Sequence, residues 1–201
     1  MAVVIAGQVR GRAEQTGGRA ARAFGLIEQA LLEARLEREE IECLAVGLGP
    51  GSYTGIRAAI AIAQGWQLGR AVPLLGVSTV EALAAQAQLA RLLGRIHVLI
   101  DAQRDEFYHA VYQIETHQRR VLEPLRLATF DQISAVAGSG ECLICPDLVP
   151  RFPGGRILWP DAGTIGRLAS ARSDFVTGDK LEPIYLRETS FLKAPPPRVL
   201  D

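Results

Sequence analysis

The chain has 201 residues, 48% of them hydrophobic and 22% charged, with 22 basic and 22 acidic side chains. That length allows one large domain or two small lobes, and the composition is that of a globular protein rather than a disordered one. A formal net charge of zero disfavours bulk nucleic-acid binding, whose affinity comes largely from neutralised phosphates.

The opening "AVVIAGQVRGRAEQ" reads as a strand, a turn at Gly7 and a second strand. Gly17 and Gly18 break the pattern before a long helix, "RAARAFGLIEQALLEARLEREE", which carries Phe24, Ile27, Leu31 and Ala34 along one face. "IECLAVGLG" is an apolar run expected of a strand covered on both faces. A glycine-rich loop and a helix over 54–69 follow it. A short strand ends at Val77, and Ser78 with Glu81 three residues on predicts a capped helix start with a capping box. The first half is thus an α/β pattern. No basic leader, cleavage site or uninterrupted apolar span is visible, so a soluble, reduced, cytoplasmic protein is expected.

Near residue 95 the pattern restarts. "RIHVLIDAQRDEFYHAVYQIE" predicts a hairpin turning at Ala102–Asp105, with Asp101 as a turn former and Asp105 and Glu106 as surface charges. "EPLRLATFDQISAVA" predicts a short strand and a weak helix; "ECLICP" and "RILWP" predict short strands, and "TIGRLASAR" a helix. The tail has extended character, with polyproline geometry at Pro195–Pro197. Cys142 and Cys145 form one C-x-x-C. A zinc site would need a second ligand pair, and His97, His109 and His117 do not supply its spacing. Two cysteines on a short buried strand and a redox pair are the readings left.

The segment "VGLGPGSYTGIRAAIAIAQGW" is the most informative. It misses the phosphate-binding P-loop, since Gly49 to Gly55 is one residue too long and Ile56-Arg57 stand where Lys-Ser/Thr belongs. It misses the dinucleotide fingerprint, with Thr54 in place of the third glycine, and the nucleophile elbow, because Ser52 directly follows Gly51. Two readings remain for Gly49, Gly51, Ser52, Thr54, Gly55 and Arg57. Backbone N–H groups at a helix start could hold an anion, or the glycines simply let strand and helix approach. Ser52 or Thr54 would cap the helix. Its small residues, Ala58, Ala59, Ala61, Ala63 and Gly65, and its larger ones, Ile56, Ile60, Ile62 and Trp66, predict packing on several faces, one of them against a neighbouring helix or subunit.

"GLGPGSYTGIRAAIAIAQGWQL", "LIDAQRDEFYHAVY" and "PIYLRETSFLKAPPP" together resemble, in the right order, three motifs of the TsaB (YeaZ) family. The resemblance implies an α/β, actin-like (ASKHA, ribonuclease H-like) two-lobed fold, with an N-terminal lobe over 1–94 and a smaller, degenerate second lobe and tail over 95–201. Family members usually begin with a strand ending in Asp-Thr-Ser. This sequence opens on the strand that should follow it, so a sheet lacking its first strand is expected. The function implied is a non-catalytic scaffold, without cofactor or metal of its own, in the complex that places a threonylcarbamoyl group on the tRNA adenosine next to the anticodon. Implied partners are a TsaD-type catalytic subunit, a TsaE-type ATPase and a second copy, with tRNA and ATP or ADP handled only by the complex. The implied interface is the helix pair over 19–38 and 54–69, represented by Phe24, Ile27, Leu31, Ala59, Ile60 and Ala63. A glycoprotease-like peptidase and a stand-alone nucleotide-binding enzyme of the same fold are the alternatives.

Overall fold

The structure is a computed structural model that describes residues 1–15, 23–146 and 151–186. Strands β1 (Ala2–Ile5) and β2 (Gln8–Arg12) form an antiparallel hairpin. Ala6 and Gly7 both take positive φ, 48° and 73°, as a two-residue turn that matches strand twist requires. Helix α1 (Ala23–Ala34) lies on β2 so closely that a Cβ on Gly11 would fall 2.0 Å from the Ala30 carbonyl oxygen.

The first helix ends at Ala34, short of the expected Glu40. Arg35 turns left-handed (φ 57°) and the Leu36 amide donates back to the Leu31 carbonyl at 3.1 Å, a Schellman-type stop that the charged run gave no sign of. Arg38–Glu40 is a separate 3-10 turn, and Arg38 pairs with Glu28. The first turn expected of that helix lies outside the described residues, as does most of the tail motif.

Strands β3 (Leu44–Gly47) and β4 (Leu74–Val77) pair in parallel and are joined through helix α2 (Tyr53–Arg70). β3 is covered on both faces, as its apolar run requires. Leu44 and Val46 pack with Ile60 and Ala63 of α2, while Cys43 and Ala45 pack with Ile165, Leu168 and Ala169. Among the described residues β1 hydrogen-bonds only to β2, and β3 only to β4, so the four strands stand as two separate ribbons. Helix α5 (Ala162–Ser170) spans both. A Cβ on Gly166 would meet Val4 at 2.5 Å, one on Gly163 would meet Val9 at 2.8 Å, and Ile165 reaches Gly47.

Helix α3 (Thr79–Leu89) starts after Ser78 as expected, but the capping box does not form. The Ser78 hydroxyl turns to the Gly49 carbonyl at 3.5 Å, and Glu81 pairs instead with Arg172 at 3.6 Å. One face of α3 seals the second sheet, where Val80, Leu83, Ala84 and Ala87 pack on Ile96, Val98, Ala110 and Ile114.

That sheet runs β7-β6-β5-β8, from β5 (Gly94–Asp101), β6 (Glu106–Ile114), β7 (Arg119–Thr129) and β8 (Cys142–Ile144), with β8 parallel to β5 and the rest antiparallel. β7 begins four residues before the expected strand. Its opening arginines are exposed and Pro124 sits at a register shift on this edge strand, where a missing donor costs little. Helix α4 (Phe130–Gly138) covers the opposite face with Ile133, against Leu99, Phe107, Leu143 and Phe152. "RILWP" makes only a single bridge, Arg156 to Ile144, rather than a strand. The chain then returns to the first lobe. Beyond α5, Val176 bridges Leu74, Leu181 enters the core beside Ile60, and the Ile184 amide donates to the Leu48 carbonyl at 2.9 Å. Residues 162–184 thus pack against β1–β4 and α2.

Candidate protein-docking site

The glycine loop is built to turn β3 into α2. The Gly49–Pro50 peptide is cis and Gly49 has φ 91°; a Cβ there would stand 2.7 Å from the Ile56 side chain, so only glycine fits. The Gly49 carbonyl accepts from the Thr79 amide at 2.8 Å, tying the loop to the start of α3. Ser52 is the N-cap of α2, its hydroxyl oxygen accepting from the Gly55 amide at 3.3 Å, while the Ile56 amide donates to the Ser52 carbonyl at 2.9 Å. One of the amides that an anion would use, that of Gly55, is thus engaged within the loop. Thr54 lies one residue inside the helix and is exposed.

Arg57 is held by aromatic rings. Its guanidinium lies 4.5 Å from the Tyr53 ring centre, its Nε donates to the Tyr185 hydroxyl at 3.1 Å, and the two tyrosines stack 5.8 Å apart. Tyr185 comes from "PIYLRETS", so two sequence motifs 128 residues apart meet at the first turn of α2. That meeting was not legible in the sequence, because nothing local marks which helix a tail tyrosine will cover.

The expected interface residues divide. Leu31, Ile60 and Ala63 are buried in the protein's own core, with Ile60 and Ala63 facing β3. This corrects their assignment to a surface a partner could touch. Ala59 is half-buried and packs on the same core cluster, and Ile27 is half-buried. Only Phe24 is open, at 58% exposure. The apolar surface lies around the other side of α2, where Ala61, Ile62, Gly65 and Trp66 join Phe24 of α1 in lining an open groove of about 440 Å³. Leu68, on the following turn, is 90% exposed, and a Cβ on Gly65 would meet nothing within 4 Å. The Trp66 indole N–H is buried without a hydrogen-bond partner among the described residues. The signal was present in the sequence, since Ala61, Ile62, Gly65 and Trp66 stand in the helix singled out there. With apolar residues on nearly every side, periodicity could not say which stripe met the sheet.

Other candidates resolve as structural. Asp101 is a turn former, its carboxylate accepting from the Gln103 amide at 2.8 Å. Asp105 pairs with Arg151 at 2.8 Å. Cys142 and Cys145 are free thiols, and burial, with Cys142 alongside, pushes the Cys145 thiol above its ordinary value. That is opposite to the lowering a reactive redox cysteine needs. His97 and His109, which do not supply a zinc-site spacing, are buried on the four-stranded sheet and hydrogen-bond each other. Among the described residues no three His, Cys, Asp or Glu side chains converge as metal ligands, and no helix is long and apolar enough to cross a membrane.

Residues 19–141 match the family described as TsaD, tRNA N6-adenosine threonylcarbamoyltransferase. The chain is 39% identical over 92 residues to the tRNA threonylcarbamoyladenosine biosynthesis protein TsaB of Escherichia coli, a match covering 46% of this chain and 40% of that protein. The TsaB of Bacillus subtilis is 32% identical over 94 residues, 46% of this chain and 39% of its own length. The chain thus spans about two fifths of these relatives. The TsaB of Buchnera aphidicola subsp. Baizongia pistaciae is 26% identical over 178 residues, 81% of this chain and 80% of that protein. Among solved structures, YeaZ from Pseudomonas aeruginosa superposes with a TM-score of 0.69 at 28% identity, covering 83% of this chain and 84% of that one. A second, an uncharacterized protein with similarity to peptidase YEAZ, also from Pseudomonas aeruginosa, gives 0.71 at 27%, covering 84% of each. The fold is the mixed α/β, actin-like one, and the chain belongs to the TsaD family, within its TsaB (YeaZ) group.

Proposed function

We propose that this chain is a non-catalytic scaffold subunit of a cytoplasmic complex that adds threonylcarbamoyl to the tRNA adenosine next to the anticodon. It docks a TsaD-type catalytic subunit through the groove between α1 and α2. A TsaE-type ATPase and tRNA join at the level of the complex, and a second copy of this chain can take the same face when the catalytic partner is absent. The observation that carries this reading is the open apolar groove of Phe24, Ala61, Ile62, Gly65 and Trp66, flanked by the exposed Leu68. Small residues let a partner helix approach the α2 backbone closely, and an aromatic pair beside them offers the anchors that dominate binding energy. The relatives' place in threonylcarbamoyladenosine biosynthesis supports the assignment to this pathway.

Titration calorimetry of Ala61→Arg against a TsaD-type subunit tests this. Ala61 is exposed and in the groove, so affinity should fall about tenfold or more with the melting temperature unchanged. An unaltered affinity would place the interface elsewhere.

A further inference from the structure

A buried polar chain runs through the second lobe, unconnected with the docking groove. His97 on β5 and His109 on β6 are each 2% exposed, on the face of the sheet that α4 covers. Their rings lie nearly parallel, with His97 Nδ1 and His109 Nε2 2.9 Å apart. His97 Nε2 meets the Glu141 carboxylate at 2.5 Å. Glu141 immediately precedes β8, which pairs with β5 over just Ile96–Cys142, His97–Leu143 and Val98–Ile144.

The proton positions follow from the acceptor at the end. A carboxylate only accepts, so His97 Nε2 carries a hydrogen. In the neutral pair His97 Nδ1 is then an acceptor and His109 Nε2 donates to it. His109 Nδ1 is left as a buried nitrogen without a hydrogen-bond partner among the described residues. A further proton on the pair creates an N–H with no acceptor and a cation in the interior, which is costly.

The charged groups around it are of both signs, and burial outweighs them. Arg126 of β7 stands opposite His109 in register, and Arg95 of β5 pairs with Glu123 at 2.8 Å and approaches Glu141 at 3.5 Å. Glu123 also faces Arg126, at 3.6 Å. From α4 come Ile133, Val136 and Ala137, while its Asp131 is exposed; the Cys145 thiol after β8 completes the packing on that face.

We propose that Glu141–His97–His109 is a pH-sensitive latch that holds β8 against β5 at neutral pH and releases this edge strand in acid. Burial first, then His97 and Arg126, push His109 from 6.5 down to about 4. A histidine freed by opening takes its proton near 6.5, so the open form binds more protons between those values. Opening is therefore favoured as pH falls, by up to about tenfold per unit.

Amide hydrogen exchange of the full chain, corrected for the intrinsic pH dependence, reads this directly. Peptides over 139–146 should lose about tenfold more protection than α2 peptides between pH 7.5 and 5.5. In His109→Gln the side-chain amide still donates to His97 and does not titrate, so that extra loss should vanish. Equal protection of wild-type β8 at both pH values, or an undiminished pH effect in His109→Gln, would overturn the latch. Should His109→Gln fail to fold, ring ¹⁵N spectra of the wild type decide. The latch requires the Nε2–H form of both rings at neutral pH and a His109 that takes no proton near pH 6, and a His109 titrating at its ordinary value would overturn it.

Discussion

Gly11 shows how much one missing side chain decides. With its would-be Cβ 2.0 Å from the Ala30 carbonyl oxygen and 2.9 Å from the Ala34 amide, the contact is with helix backbone, which cannot rotate away. Gly11→Ala should therefore cost at least about 3 kcal/mol, toward the severe end for overpacking, and chemical denaturation would measure it. A loss under about 1 kcal/mol would mean that α1 does not sit on β2 this closely. His109 sets a second expectation at this scale. Its folded-state value is held at about 4, so the unfolded chain binds the extra proton between about 4 and 6.5, and stability rises with pH across that window. The full difference is on the order of 3 kcal/mol. Unfolding in urea at pH 4.5 and 7 should differ by most of that in the wild type and by clearly less in His109→Gln.

At the scale of elements, α2 shows what a sequence can and cannot disclose. Its start was legible to within a residue or two, because Ser52 and Thr54 both stand where a cap is needed, and Ser52 is the one that caps the helix. Ser52→Ala should lower stability by about 1 kcal/mol, a melting-temperature drop of about 2–4 °C for a chain of this size. Which side of α2 faces the sheet was not legible. Ile60 and Ala63 point at β3, while Ile62, Ala61 and Gly65 point away; both stripes are apolar, so the hydrophobic period carries no phase. Only the tertiary partner separates them. A paired substitution makes that difference measurable. Ala63→Arg forces a charge into the β3–α2 core and should cost several kcal/mol, whereas Ala61→Arg on the groove should change stability by less than about 0.5 kcal/mol. Similar melting temperatures for the two variants would mean the helix is rotated from the orientation described. The loss of the Ser78–Glu81 box has the same origin. Both side chains found distant partners, Gly49 and Arg172, that no local pattern announces.

Over the whole molecule, the strand and helix order was largely readable, and the return of the chain to the first lobe was not. Glycines at 163 and 166 allow α5 to lie against both ribbons, and Tyr185 reaches Tyr53 and Arg57 at the mouth of α2. These are contacts over more than 100 residues of sequence. The outcome is a molecule with its glycine loop tied down internally and an apolar groove on α1 and α2 left open. The most direct measurement is the mass in solution, by light scattering after gel filtration, of this chain alone and mixed with a TsaD-type subunit. A one-to-one complex that forms with the wild type and is lost with Ala61→Arg would establish the groove as the docking face. A wild-type chain that stays separate from that subunit while fully folded would contradict the proposed role.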